Sequence, residues 1–287
     1  MFKQLGLIGC GLIGGSFALA LKQAGWVARV CGYSATKATM NLAKEMGVID
    51  EICLDAPSAV RGSDLVLIAI PVQAIEDCLR EIAPHIDTDC LVMDVGSTKA
   101  NIADAAKAFL GDKLSQFVPA HPIAGKELAG VSEASPTLFK DRPLILTPSE
   151  ITNLDFIERA NKVWTQLGSK VHKMSPTEHD AAFAAVSHLP HLIAFAYMNG
   201  LIKQRDHDQF LSVAGPGFRD FSRIAGSDPK VWRDIFLANR KNLKEQITHF
   251  KNELQAIEHF IDNEDSASIV ECIKASQVAR NEWIINQ

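Results

Sequence analysis

The 287-residue chain is poor in several features, and each scarcity removes a class of protein. Its 29 Lys and Arg are interspersed with 34 Asp and Glu, for a net charge of −5. The clustered basic surface of a nucleic-acid binder is therefore lacking. No uninterrupted apolar run reaches the ~18 residues of a spanning helix, so no membrane association is expected. Glycines at 6, 9, 11, 14 and 15 break the apolar stretch from Leu5 to Leu21, which reads as a nucleotide-binding turn rather than a signal peptide. The six cysteines (10, 31, 53, 78, 90, 272) form no CxxC pair. Most lie in apolar strand-like contexts and read as small buried hydrophobes of a reducing cytoplasm. Internal repeats, low-complexity tracts and long linkers are missing too. The rest, 47% hydrophobic and 22% charged, is a globular composition, long enough for two domains.

Short apolar runs alternate with amphipathic segments up to about residue 173. The runs are Leu5–Gly9, Val27–Gly32, Leu65–Ile70, Leu91–Val95, Phe117–Ala120, Leu144–Thr147 and Lys170–Lys173. Helix-like stretches such as Ile13–Ala24, Thr36–Met46, Val72–Ile82 and Lys99–Leu110 separate several of them. This pattern predicts a mainly parallel sheet covered on both faces, a Rossmann-type α/β domain over residues 1–173. Ser175-Pro176-Thr177-Glu178 carries the signature of a helix start, and residues 174–287 then read as an all-α domain. Asp228-Pro229 opens a second helix whose apolar residues recur at three- and four-residue steps through Ile261. Unbroken, that helix of about 33 residues would be ~50 Å long, more than a small domain can cover. A homodimer through the C-terminal helices is expected.

Gly9-Cys10-Gly11-Leu12-Ile13-Gly14 is a GxGxxG set between an apolar strand and an amphipathic helix. Gly9 permits the tight turn, Gly11 lets a pyrophosphate approach the backbone, and Gly14 lets helix and strand pack closely. The backbone N–H groups around Leu12 and Ile13 then face the phosphates. Ile70 and Pro71, closing the third apolar run, are taken to border the same crevice. About 20 residues past the glycines an NAD enzyme places an acid on the adenine ribose. This chain has Gly32-Tyr33-Ser34-Ala35-Thr36-Lys37 there, with no carboxylate. Ser34, Thr36 and Lys37 can donate to a 2′-phosphate, which favours NADP and leaves NAD open.

Ligands in such sheets bind beyond the carboxyl ends of the strands. Gly96-Ser97-Thr98-Lys99 follows one run there and His121-Pro122 another. A serine and a histidine on separate strand ends can converge on one substrate hydroxyl. Histidine suits a general base at neutral pH. Ser97 can equally cap the next helix. His188 and His191 lie three apart in SHLPH, and no third ligand of matching spacing completes a metal site. Arg223, flanked by Phe218, Phe221 and Ile224, offers a planar fork for a carboxylate.

These segments resemble the prephenate/arogenate dehydrogenase family of tyrosine biosynthesis. The resemblance rests on LGLIGCGLIGGS (5–16), DVGSTK (94–99), HPIAGKELAGV (121–131), HDAAFAAVSHLPH (179–191) and GFRDFSRIAGSDPKVWRDIF (217–236), in the family's order over nearly the whole chain. It implies oxidation of a cyclohexadienol with loss of carbon dioxide, without a metal. His121 would accept the hydroxyl proton, while Ser97 would bond the hydroxyl and help orient His121. Arg223 and His191 would contact substrate, with His188 structural. Asp220 would pair with Arg223 or a neighbouring basic residue, and Trp232 would lie on a segment reaching toward the partner's active site. Lys126 and Glu127 follow HPIAG, where the choice between keto-bearing prephenate and amino-bearing arogenate is set. A lysine favours the first and a glutamate the second, so the pair does not decide. No regulatory module or fused chorismate mutase is expected. The alternatives are a 3-hydroxyacid dehydrogenase or imine reductase of similar architecture, which often rely on a catalytic lysine, and a sensor that binds NAD(P)H without turnover.

Overall fold

A computed structural model describes residues 1–126 and 128–285, which leaves Glu127 outside the described residues. By internal contacts the chain divides into two compact units, Met1–Arg240 and Lys241–Gln287.

The first unit is built on five parallel strands: β1 (Phe2–Ile8), β2 (Val27–Tyr33), β3 (Glu51–Ile52), β4 (Leu65–Ile68) and β5 (Leu91–Asp94). They lie in the order β3-β2-β1-β4-β5. Period-two alternation sends their side chains to two separate cores. Leu5, Leu7, Leu65, Leu67, Leu91 and Met93 meet Phe17, Leu21 and Trp164 on one face. Ile8, Val66, Ile68 and Val92 meet Ile75, Leu79, Ile102 and Phe117 on the other. Burial on both faces is why these strands read as continuous apolar runs. Fully burying one such aliphatic side chain stabilises the fold by roughly 1.5–3 kcal/mol. The strand order reverses between β1 and β4, and the crevice at that switch point is where an open α/β sheet receives its ligand.

The last three strands depart from the predicted parallel sheet. β6 (Ala120–Pro122), β7 (Pro143–Leu146) and β8 (Lys170–Lys173) form a second, mixed sheet in the order β6-β7-β8, with β6 antiparallel to β7. Phe117 makes only an isolated bridge to Val92. Pro119 has no N–H to continue a ladder, so pairing begins at Ala120. His121 therefore lies within a strand, opposite Ile145, and not beyond a strand end as expected. The two-residue β3 and the short helix Ala56–Val60 were not legible as periodic segments.

The predicted helix start at Ser175 is realised as a capping box: Glu178 N–H donates to Ser175 Oγ and Ser175 N–H donates to Glu178 Oε2. The helical run Pro176–Ile202 is, by length and composition, apolar enough to cross a membrane, which the count of uninterrupted apolar residues did not register. It nevertheless carries His179, Asp180 and His188, all buried in polar contacts within the first unit. Residues Ala184–His188 form a π-helical turn just before Pro190, whose ring cannot continue an ordinary hydrogen-bond ladder.

The long helix after Pro229 is not unbroken. It runs Pro229–Ala238, stops at Asn239 (φ −102°, ψ 27°) and resumes as Arg240–Asp262. Asn239 is buried and its amide donates to the carbonyl of Asp180 at 2.7 Å. That contact turns the chain inward where the periodicity alone predicted continuity. The second unit holds the remainder of this helix and a second helix, Ser266–Ile285, joined through Glu264 at positive φ. Leu254, Ile261, Ile273 and Val278 are all more than half exposed on it.

Candidate active site

The glycine turn has the shape of a dinucleotide cradle. Gly9 sits at φ +96°, and a Cβ there would lie 2.2 Å from the Ala69 carbonyl oxygen. A Cβ at Gly14 would lie 2.1 Å from the Gly9 oxygen, whereas at Gly11 nothing lies within 4 Å. Two glycines are thus required by the protein's own packing, and the third leaves open space where a pyrophosphate needs it. Helix Leu12–Gln23 starts at Gly11 with no side-chain cap and no acid in its first turn, so its N-terminal dipole is uncompensated by side chains. Gly9 N–H donates to the Tyr33 carbonyl at 2.8 Å, joining this turn to the end of β2. Pro71 precedes the helix Val72–Ile82 across the crevice, beside Ile70. These residues fit a bound dinucleotide. At the ribose end Ser34 is half-buried and Lys37 exposed. The Thr36 hydroxyl is already committed, donating to Thr39 Oγ1 and accepting from Thr39 N–H as a helix cap.

A cleft of about 1150 Å³ collects most of the remaining predicted residues: Ser97, His121, Lys126, His191, Arg223 and Trp232 all line it. Asp220 is not among them; it is exposed on the helix Pro216–Ser222. Lys126 donates to the Glu133 backbone at 2.6 Å and approaches its carboxylate at 3.4 Å. His191 donates from Nδ1 to the Ser187 carbonyl at 2.9 Å and stacks on Trp232, with centroids 3.6 Å apart and 20° between planes. Burial holds His191 below the ordinary histidine pKa, the Ser187 carbonyl opposes this, and the nearby Arg223 charge adds to the lowering.

The feature that sequence reasoning missed is the chain of groups behind His121. His121 Nδ1 lies 2.8 Å from His179 Nε2, and His179 Nδ1 lies 2.8 Å from Asp180 Oδ1. Asp180 also accepts the backbone N–H groups of Lys99 at 2.8 Å and Ala100 at 2.9 Å. Its carboxylate thereby caps helix Ala100–Phe109, the role that sequence left open for Ser97. Burial would raise the Asp180 pKa, but the bonds from His179, Ala100 and Lys99 outweigh it and hold it low. Burial is the main cause that keeps both histidines below the usual imidazole value. For His121 the effect is large, with the charges of His179, Lys99 and His188 adding to it; for His179 the Asp180 bond opposes it. Among the described residues, the ring partner of His121 is His179, not Ser97.

Lys99, fully buried, reaches Asp94 Oδ2 and donates to the Ala120 carbonyl at 2.7 Å, one residue before His121. Burial pulls the lysine pKa down and the Asp94 pKa up, and the hydrogen bond between them opposes both shifts. The only signals for these groups were the acid and lysine of DVGSTK and the His-Asp pair opening HDAAFAAVSHLPH.

Residues 17–173 match the sequence model of "Prephenate dehydrogenase, nucleotide-binding domain", and residues 175–275 match that of "Prephenate dehydrogenase, dimerization domain". The chain is 32% identical over 283 residues to a cyclohexadienyl dehydrogenase of Zymomonas mobilis, covering 98% of this chain and 96% of that protein. A solved prephenate dehydrogenase from A. aeolicus, in complex with hydroxyphenyl propionate and NAD+, superposes with a TM-score of 0.91 at 34% identity over 98% of both chains. The Synechocystis arogenate dehydrogenase structure gives 0.83 at 28% identity over 98% of this chain and 99% of that one.

Proposed function

The chain belongs to the prephenate dehydrogenase family, and from that premise we propose how its cleft carries out NAD(P)-dependent oxidative decarboxylation of prephenate or arogenate. The observation that carries the reading is the His121–His179–Asp180 chain opening on the cleft. The Asp180 carboxylate can only accept, so His179 carries its proton on Nδ1. With His179 neutral, its Nε2 accepts and His121 Nδ1–H donates to it. This leaves the lone pair on His121 Nε2, on a half-buried ring lining the cleft. That nitrogen takes the proton of the ring hydroxyl. Ser97, whose hydroxyl is not needed as a helix cap, hydrogen-bonds the same oxygen. A bound nicotinamide supplies the hydride acceptor at that carbon. The dienone so formed draws electrons from the ring carboxylate, carbon dioxide leaves, and aromatisation makes the reaction irreversible. Arg223, His191 and Trp232 bind the rest of the substrate.

Gly9, Gly11, Leu12, Ile13, Gly14, Ile70 and Pro71 hold the dinucleotide backbone, and Tyr33, Ser34 and Lys37 flank its ribose. Lacking a carboxylate at the end of β2, the site favours NADP. Residues 1–173 constitute the dinucleotide-binding domain and 174–287 the helical substrate and dimerisation domain, a boundary supported by where the two family matches meet. The protein is a cytoplasmic homodimer; exposed apolar residues on the C-terminal helices support a subunit partner. Light scattering at micromolar concentration tests this, and a monomer refutes it.

The deciding experiment mixes the protein with prephenate or arogenate and with NADP or NAD, and follows reduced-nicotinamide absorbance. Turnover of at least one of the four pairs is expected. Absence of turnover with all four refutes the reading.

A further inference from the structure

His188 resembles a structural histidine: it is 1% exposed, on the π-helical turn beside Pro190, and none of the steps above uses it. Its hydrogen bonding shows more. The Asp180 carbonyl oxygen can only accept, so the Asn239 atom 2.7 Å away is the amide nitrogen. That same nitrogen lies 3.1 Å from His188 Nδ1. An amide N–H cannot accept, so His188 Nδ1 must be the unprotonated nitrogen. The proton of the neutral ring is then on Nε2.

The ring lines the cleft, and with Nδ1 committed to Asn239 Nε2 is the ring nitrogen that carries the donor proton. We propose that His188 is a substrate-contacting residue whose Nε2–H, fixed in that tautomer by Asn239, donates to an anionic oxygen of the bound substrate. Asn239 is the positioning residue. The break it makes between Ala238 and Arg240 is what brings its amide to both Asp180 and His188. Burial holds His188 neutral down to about pH 4, with Asp180 opposing and His179 and His191 assisting. The donor thus stays a fixed neutral dipole across the physiological range, where a solvent-exposed histidine would titrate. Trp232, edge-on at 6.2 Å, backs the ring from the same cleft.

The inference deepens the functional reading above and rests on it for the identity of the ligand, but the tautomer can be tested without substrate. In a histidine-selective 15N spectrum of the full-length protein at pH 7, His188 should show an unprotonated Nδ1 and a protonated Nε2; the opposite tautomer overturns the proposal. His188→Phe, which keeps the ring volume and removes the donor, should raise KM for whichever of prephenate or arogenate the wild type turns over by about tenfold or more, a charge-assisted bond lost. Its dissociation constant for NAD(P) should stay within twofold. A folded His188→Phe with unchanged KM overturns the proposal. Should that variant not fold, Asn239→Asp takes its place. There the new carboxylate accepts from Nδ1, and the same 15N spectrum reads whether Nε2 has lost its proton. A variant that has lost it should show the same rise in KM, and one that has lost it and keeps the wild-type KM overturns the proposal. A wild type that turns over neither substrate counts against the functional reading alone and leaves the tautomer result standing.

Discussion

His121 Nδ1 stands 2.8 Å from His179 Nε2, so the ring proposed as base is oriented by a second imidazole from a different element. His121 comes from β6 and His179 from the helix Pro176–Phe183. Their contact, completed by Asp180, fixes which nitrogen of His121 is left to react. His121→Asn should therefore lower kcat by about 10²- to 10⁴-fold, the usual cost of losing a general base. Dinucleotide affinity, set by the glycine turn, should be unchanged. Stopped-flow turnover and fluorescence titration with NADPH check the two halves, and a variant retaining near wild-type kcat removes His121 as the base.

Asp180→Asn separates orientation from charge. The carboxamide can offer an N–H to His179 Nδ1, which favours the opposite His179 tautomer and places an N–H against His121 Nδ1. By analogy with the tautomer penalty in other carboxylate–histidine pairs, kcat should fall roughly 10²-fold or more. Asp180 also accepts Lys99 and Ala100 N–H, so weakening that cap should cost about 1 kcal/mol of stability. Paired measurements of kcat and denaturant midpoint would show whether loss of activity exceeds what the stability loss explains; a kcat within threefold of wild type rules out the orienting role.

The glycine cradle was legible because Gly9 takes a positive φ in the turn itself and Gly14 meets the Gly9 carbonyl oxygen five residues back, and local steric need leaves a local signature. The base was legible only by type. His121 announces itself as a titratable residue after an apolar run, but its partner is 58 residues away and no spacing rule connects them. Asn239 was hidden for a related reason. It falls inside an uninterrupted 3.6-residue apolar pattern, and only the tertiary contact with Asp180 converts it into a helix break. Asp220, expected to pair with Arg223 or a neighbouring basic residue, lies exposed on the helix Pro216–Ser222 and outside the cleft lining. Sequence periodicity reports which face of a helix is apolar, not which polar residue that face meets.

Acid should destabilise the fold through His188. Its imidazole titrates near 6.5 when unfolded and at about 4 when folded. As pH falls below 6.5 the unfolded state gains a proton that the folded state refuses, so stability is intact above that value. It declines through the window from 6.5 to 4 and receives no further penalty from this group below 4. The loss amounts to roughly 3 kcal/mol at most. His121 and His179, also held low, act in the same direction. Urea unfolding of wild type and His188→Gln between pH 7 and 4 isolates the contribution: the variant should show a shallower dependence, and parallel curves would refute it.

Ser34→Asp should move cofactor preference from NADP toward NAD. Ser34 follows β2 directly, where a carboxylate would bond the ribose hydroxyls and repel a 2′-phosphate by a few kcal/mol at an effective dielectric of about 20. Since the Thr36 hydroxyl is engaged in its helix cap, Ser34 and Lys37 are the side chains left to meet that phosphate. The ratio of kcat/KM for NADP to that for NAD should fall at least tenfold. A wild type that already prefers NAD strongly defeats the premise.

Arg223→Ala should raise KM for substrate with little change in cofactor affinity. Arg223 lines the cleft, and its charge is felt by His191, which stacks on Trp232. The three therefore address one region of the bound molecule. A charge-assisted bond to a substrate carboxylate is worth roughly 2–3 kcal/mol, about a 30- to 150-fold rise in KM. The competing role is structural, an arginine that ties the helix Pro216–Ser222 to its surroundings. In that case the variant would lose melting temperature and keep its KM, and Asp220→Ala would reproduce the defect if the two acidic and basic groups work together. Asp220 is exposed and outside the cleft, so Asp220→Ala is expected to leave KM unchanged. Measuring KM and melting temperature for both variants decides the matter. An unchanged KM in Arg223→Ala would transfer the carboxylate to Lys126, which would have to leave Glu133 to reach it.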